Sequence, residues 1–68
     1  MPPPVDQRAE LQRLLQRGDF LNAKNLAADM LRRNPRDGEA WLGVARCAIG
    51  MNRLRVAEEA LERAERMI

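Results

Sequence analysis

Twelve cations, ten carboxylates and one thiol carry the acid–base, ionic and nucleophilic chemistry open to this 68-residue chain, which has no Ser, Thr, Tyr or His. Without hydroxyls or imidazoles there is no Ser-His-Asp arrangement, no His-ligated metal and no phosphorylatable hydroxyl. Cys47 stands alone. It can build neither an internal disulfide nor a Cys-only zinc site, and a nucleophilic cysteine would want a base that the sequence lacks. Its expected role is small apolar core filler. These residue types point away from an enzyme and require no cofactor and no metal.

The charges are nearly balanced, for a net of +2. Balance argues for a solvated surface, whereas nucleic-acid binding would gather the cations on one face. Arg32-Arg33 with Arg36, and Arg53 with Arg55, form local basic spots, which suit helix C-terminal ends opposite the dipole and a solvated turn. A helix-turn-helix DNA reader is disfavoured because its groove-entering third helix would carry Arg46 as its single cation. No nucleic-acid partner is expected. No apolar run approaches the ~20 residues needed to cross a bilayer, and Met1-Pro2-Pro3-Pro4 lacks the basic and apolar regions of a signal peptide. A cytoplasmic protein without membrane insertion is the expectation.

Ten Ala and nine Leu against three Val and two Ile make a helix composition, since unbranched side chains keep more rotamer freedom in a helix than β-branched ones. Residues 1–5 read as a proline-rich leader ahead of one domain, 6–68. Asp6 suits the N-cap of a first helix running to about Arg17 and ending at Gly18, a residue that tolerates left-handed angles. Asp19 suits the cap of a second, with Phe20, Ala23, Leu26, Ala27, Met30 and Leu31 at helical spacing, stopped at Asn34-Pro35. Asp37 suits the cap of a third through Trp41, Val44, Ala45, Ala48 and Ile49, ending near Gly50 to Asn52. A fourth follows with Leu54, Ala57, Ala60, Leu61, Ala64 and Met67 and runs to the last residue. Turns this short make consecutive helices antiparallel neighbours.

A shift of 34 residues, the distance from Gly18 to Asn52, superposes this pattern on itself. Phe20 then falls on Leu54, Ala23 on Ala57, Ala27 on Leu61, Met30 on Ala64, and Leu14-Leu15 on Ala48-Ile49. Identities are few, but the residue classes agree where helices must meet. The same small Ala in both second helices allows two backbones to approach closely.

On these residues the sequence resembles the tetratricopeptide repeat family, built of 34-residue helix-turn-helix units. Ala40-Trp41-Leu42-Gly43-Val44-Ala45 resembles the start of a repeat, Gly18-Asp19-Phe20 with Ala23 its middle turn, and Asn34-Pro35 its end. Trp41 stands in the bulky slot, Ala45 in the small slot, Ala23 and Ala57 in the close-contact slot, and Pro35 in the turn between repeats. The resemblance covers about residues 4–68 and implies two repeats, about 4–37 and 38–68. It implies an all-α fold of two antiparallel hairpins, four helices in all, at the start of a right-handed α-solenoid. The first repeat departs from the pattern: Gln7 takes a bulky slot, Glu10 an apolar one and Leu11 the small one. A first helix with no preceding repeat can turn polar residues outward, and there the small-residue rule relaxes.

The family's function implies a non-catalytic scaffold whose first helices line a concave surface for partner peptides. By position, the residues facing that groove are Val5, Arg8, Gln12, Leu15, Glu39, Leu42, Arg46 and Ile49. Arg8 and Arg46 beside Leu42 and Ile49 suit a peptide with a carboxylate next to an apolar anchor; the alternative is an ordinary solvated or core-edge surface. The family's chaperone-tail clamp is not evident, because Gln12 and Gly43 replace its asparagines. Trp41 is expected to rest on the preceding second helix. The fourth helix keeps Leu61, Ala64, Met67 and Ile68 apolar to the end, and solenoid ends need a polar outer face. Self-association through these four residues, most simply as a symmetric dimer, follows as an expectation. The other reading makes the chain the N-terminal repeat region of a longer bacterial transferase or hydroxylase, and eleven Arg to one Lys fits a GC-rich coding sequence.

Overall fold

The computed structural model describes residues 6–67, which fold into α1 (Gln7–Gln16), α2 (Phe20–Arg33), α3 (Gly38–Gly50) and α4 (Leu54–Met67). The expected leader, Val5 and Ile68 lie outside the described residues. Each helix starts and stops for a local reason. Asp6 accepts the amides of Arg8 and Ala9 at 3.1 and 3.5 Å, and Asp37 accepts the Ala40 amide at 3.2 Å, which satisfies donors the helix leaves free. Asp19 occupies the N-cap position of α2, but its carboxylate takes the Asn22 side-chain amide at 2.8 Å and bonds no backbone amide. Position there does not bring the capping bond that the sequence suggests.

The two hairpin turns show the repeat in their hydrogen bonds. Gly18 and Asn52 both adopt positive φ, 74° and 60°. Gly18 donates to Leu15 and Asp19 to Leu14; one repeat later Asn52 donates to Ile49 and Arg53 to Ala48. This pair of bonds closes a helix end in a Schellman turn, where glycine or asparagine bears the left-handed angle at least cost. Between the repeats, Asn34 accepts the Arg36 amide on its side chain at 3.1 Å and the Asp37 amide on its carbonyl at 3.1 Å. Pro35 follows, where a helix could not continue.

The molecule measures 42 × 25 × 16 Å across its principal axes. Its thin dimension leaves room for two layers of helices about 8–10 Å apart. α3 is the hub and touches α1, α2 and α4, whereas among the described helices α4 touches α3 alone. The buried core is made of Leu11, Ala23, Ala27, Met30, Ala40 and Cys47, with Leu14, Leu15, Phe20, Leu26, Leu31, Val44 and Met51 packed around it. Ala57, Ala60 and Ala64 are the buried residues of α4, so that helix docks by close approach of small side chains. Two glycines of α3 make room for side chains of the first repeat. A Cβ at Gly43 would lie 2.7 Å from Leu11 Cδ2, and one at Gly50 would run into the Phe20 ring. Leu11 therefore does not sit in a relaxed slot; it is 4% exposed and the glycine of the next repeat receives it.

Candidate functional site

α1 and α3, the first helices of the two repeats, run side by side and frame a shallow groove of about 220 Å³. Its walls carry Arg8, Gln12, Leu15, Glu39, Leu42 and Arg46, and its floor is Leu11 with Gly43. The structure thus brings together six of the residues assigned to a groove from the sequence. Ile49 is not among the residues that line it; one turn further on, at the end of α3, it is 55% exposed. Leu11 and Gly43 escaped the sequence reading. The available signal was a glycine inside a helix, which costs about 1 kcal/mol relative to Ala and so asks for a neighbour that needs the space.

The groove is electrostatically mixed. Arg8 Nε meets Glu39 Oε2 at 3.5 Å across the two repeats, with both side chains more than half exposed. Such a pair contributes at most about 1 kcal/mol and can open for a competing ion. Arg46 has no ion-pair partner among the described residues. The apolar floor, one free guanidinium and one weakly held guanidinium can seat an apolar side chain and bind a carboxylate.

Around the groove, polar ties hold the repeats in register. Gln7, in the slot where a bulky side chain was expected, donates from Nε2 to Asp29 Oδ2 at 3.0 Å, linking α1 to α2. Asp29 also pairs with Arg32 and Arg33 at 3.5 and 3.4 Å, so part of the first basic spot is neutralised at the C-terminal end of α2 as helix electrostatics favour. Trp41, expected to rest on α2, makes two polar contacts elsewhere. Its indole nitrogen donates to the Pro35 carbonyl at 3.0 Å, and the Arg63 guanidinium of α4 lies 5.1 Å from the ring centroid. The residue bridges the inter-repeat turn and the last helix, with a cation–π contact of about 0.5–1 kcal/mol.

The apolar residues of α4 divide differently from the expected interface. Ala64 is 1% exposed and is already committed to the core of the chain, which removes it from any interface. Leu61 and Met67 are each 39% exposed, yet at 100° per residue they lie about 120° apart around the helix, so they do not form one face. Ile68 lies outside the described residues. Leu54 and Val56, 61% and 44% exposed, are further apolar side chains of this helix that the sequence reading did not place on the surface.

Cys47 is buried, and burial raises its thiol above the ordinary value, against smaller opposing effects from a backbone hydrogen bond and from Lys24. A protonated buried thiol is inert. Among the described residues no group of three His, Cys, Asp or Glu side chains could hold a metal, and no helix is long and apolar enough to cross a membrane.

Two stacked helical hairpins, closed by identical turn bonds and lined on one side by their first helices, define an α-helical repeat protein. The family model for the tetratricopeptide repeat matches residues 14–66, most of the chain, and the protein belongs to that family. No curated protein and no solved structure matches the chain.

Proposed function

We propose that the chain is a non-catalytic scaffold of the cytoplasm whose α1–α3 groove binds a partner peptide carrying a carboxylate beside an apolar side chain. The convergence of Arg8, Leu15, Leu42 and Arg46 on one groove carries this reading. Leu42 is 37% exposed, enough to offer an apolar contact without leaving the helix surface. A carboxylate could pair with Arg46 directly, or displace Glu39 from Arg8, and a charge-assisted contact to a guanidinium is among the stronger hydrogen bonds. Selection from a displayed random peptide library tests it: the wild-type chain should enrich sequences with Asp or Glu next to Leu, Ile, Met or Phe. Arg46→Glu should lose those sequences at least tenfold, and enrichment that ignores Arg46→Glu would refute the groove as the site.

The second part of the reading is self-association through α4. It rests on the exposure of Leu54, Leu61 and Met67 on a helix whose only neighbour among the described helices is α3.

A further inference from the structure

α2 and α4 flank α3 without touching each other, and the gap between them is an apolar cleft of about 210 Å³, more enclosed than the groove on the other side. Val44, Cys47, Ala48 and Met51 of the α3 segment form its floor and Val56 of α4 one wall. Lys24 and Arg53 stand at its edge, and neither is in an ion pair among the described residues. Among the described residues no carboxylate lines it. The volume falls below the ~300–1,000 Å³ of sites for drug-sized ligands. It suits one inserted side chain, apolar itself and flanked by negative charge.

The chain carries a group of that description. Of its exposed large apolar side chains, Leu61 alone has a carboxylate one turn before it, Glu58, and one turn after it, Glu65. Neither Glu is in an ion pair among the described residues. We infer that the chain associates with a second copy of itself head to tail, Leu61 of one copy entering the α2–α3–α4 cleft of the next while Glu58 and Glu65 meet Lys24 and Arg53. This deepens, and depends on, the self-association reading above.

Two observations select this mode over others. Continuing the stack would seat α1 of a second copy on α3 and α4. The residues of the first repeat equivalent to Ala40, Val44 and Cys47 of α3 are Asp6, the N-cap of α1, and Glu10 and Arg13 within it, and Arg13 is paired with Glu10 at 2.6 Å. Charges in place of small apolar residues do not dock on an apolar surface. Leu61 and Val56 lie about 140° apart around α4, so donor and acceptor occupy opposite flanks. One copy serves both roles at once, and the contact is heterologous, with no closure at two.

Sedimentation equilibrium of the 68-residue chain and two surface variants tests the inference, with circular dichroism to verify folding. Leu61→Arg removes the donor, and Lys24→Glu with Arg53→Glu removes the acceptor; the three positions are exposed. The wild type should show a mass that rises past the dimer with concentration, and each variant alone should be monomeric where the wild type associates. An equimolar mixture of the two should stop at a 1:1 heterodimer, because one functional donor and one functional acceptor remain. If Leu61→Arg abolishes association while the charge-reversed variant associates like the wild type, the head-to-tail mode fails and α4 self-association stands. A mixture that stays monomeric also overturns the mode. A wild type monomeric at high micromolar concentration overturns both readings.

Discussion

Gly50→Ala should destabilise the chain although alanine is the better helix former. The exchange of Gly for Ala in a helix gains about 0.5–1 kcal/mol, and Gly50 is the last residue of α3, which puts the gain at the lower end. Against it stands the ring of Phe20, three of whose carbons a Cβ at this position would overlap. The ring is half-buried against the core and cannot bend out of the way as an aliphatic end could. Turning it outward forfeits part of the ~1.5–3 kcal/mol that burying a Phe contributes, and leaving it in place incurs an overpacking cost of about 1–3 kcal/mol. The expected net loss is about 1–2 kcal/mol, which at about 4–8 °C per kcal/mol for a domain of this size is read easily in Tm. The assay is urea unfolding followed by helical circular dichroism, at one low protein concentration because association would add stability. The same exchange in a Phe20→Leu background removes the obstruction and should be neutral or stabilising, giving a coupling of at least about 1 kcal/mol between the positions. Equal effects of Gly50→Ala in both backgrounds, or a stabilising effect in the wild type, would refute the account.

Two further outcomes follow from local chemistry. Asp37→Ala should lose about 1 kcal/mol of unfolding free energy through its capping bond to Ala40, whereas Asp19→Ala should lose only a few tenths, since that carboxylate bonds no helix amide; equal losses in urea titrations would contradict the assigned bonds. The folded-state value of the Cys47 thiol lies above its ordinary 9.0, so above about pH 9 the unfolded chain releases the proton first and folding weakens as pH rises. Unfolding free energies of wild type and Cys47→Ala, taken from pH 7 to 10, should diverge in slope above pH 9, and parallel profiles would show that the thiol is not shielded.

Helix order, the hairpin turns and the repeat length could be read from the sequence because each depends on local chemistry. Gly18 and Asn52 are residues that bear positive φ, Pro35 ends a helix wherever it falls, and alanines recur where backbones approach. The groove positions were legible for a similar reason: once Arg8 and Glu39 occupy equivalent faces of consecutive first helices, stacking brings them together. What escaped the sequence depends on which side chain meets which across repeats. Gly43 accommodates Leu11 and Gly50 accommodates Phe20, and no spacing rule within one helix reports a contact made with another. The burial of Ala64, like the bridging of Trp41 to Pro35 and Arg63, depends in the same way on how α4 sits against α3.

The uneven arrangement of contacts ties stability to function. Among the described helices α3 touches all three others, while α4 packs on α3 alone, through Ala57, Ala60 and Ala64. Small side chains let the two backbones approach closely, and this is the most extensive helix pair of the molecule. The same packing leaves Leu54, Val56 and Leu61 on the surface. A helix that is apolar on its open flanks gains stability from any neighbour that covers it, by mass action. Coverage of α4 and order in α4 are therefore linked quantities. The groove between α1 and α3 is built where Leu11 and Gly43 interlock, so the proposed peptide would meet a surface that is already formed. The two surfaces differ in kind: one is a preformed groove, the other a helix whose own stability depends on what it binds.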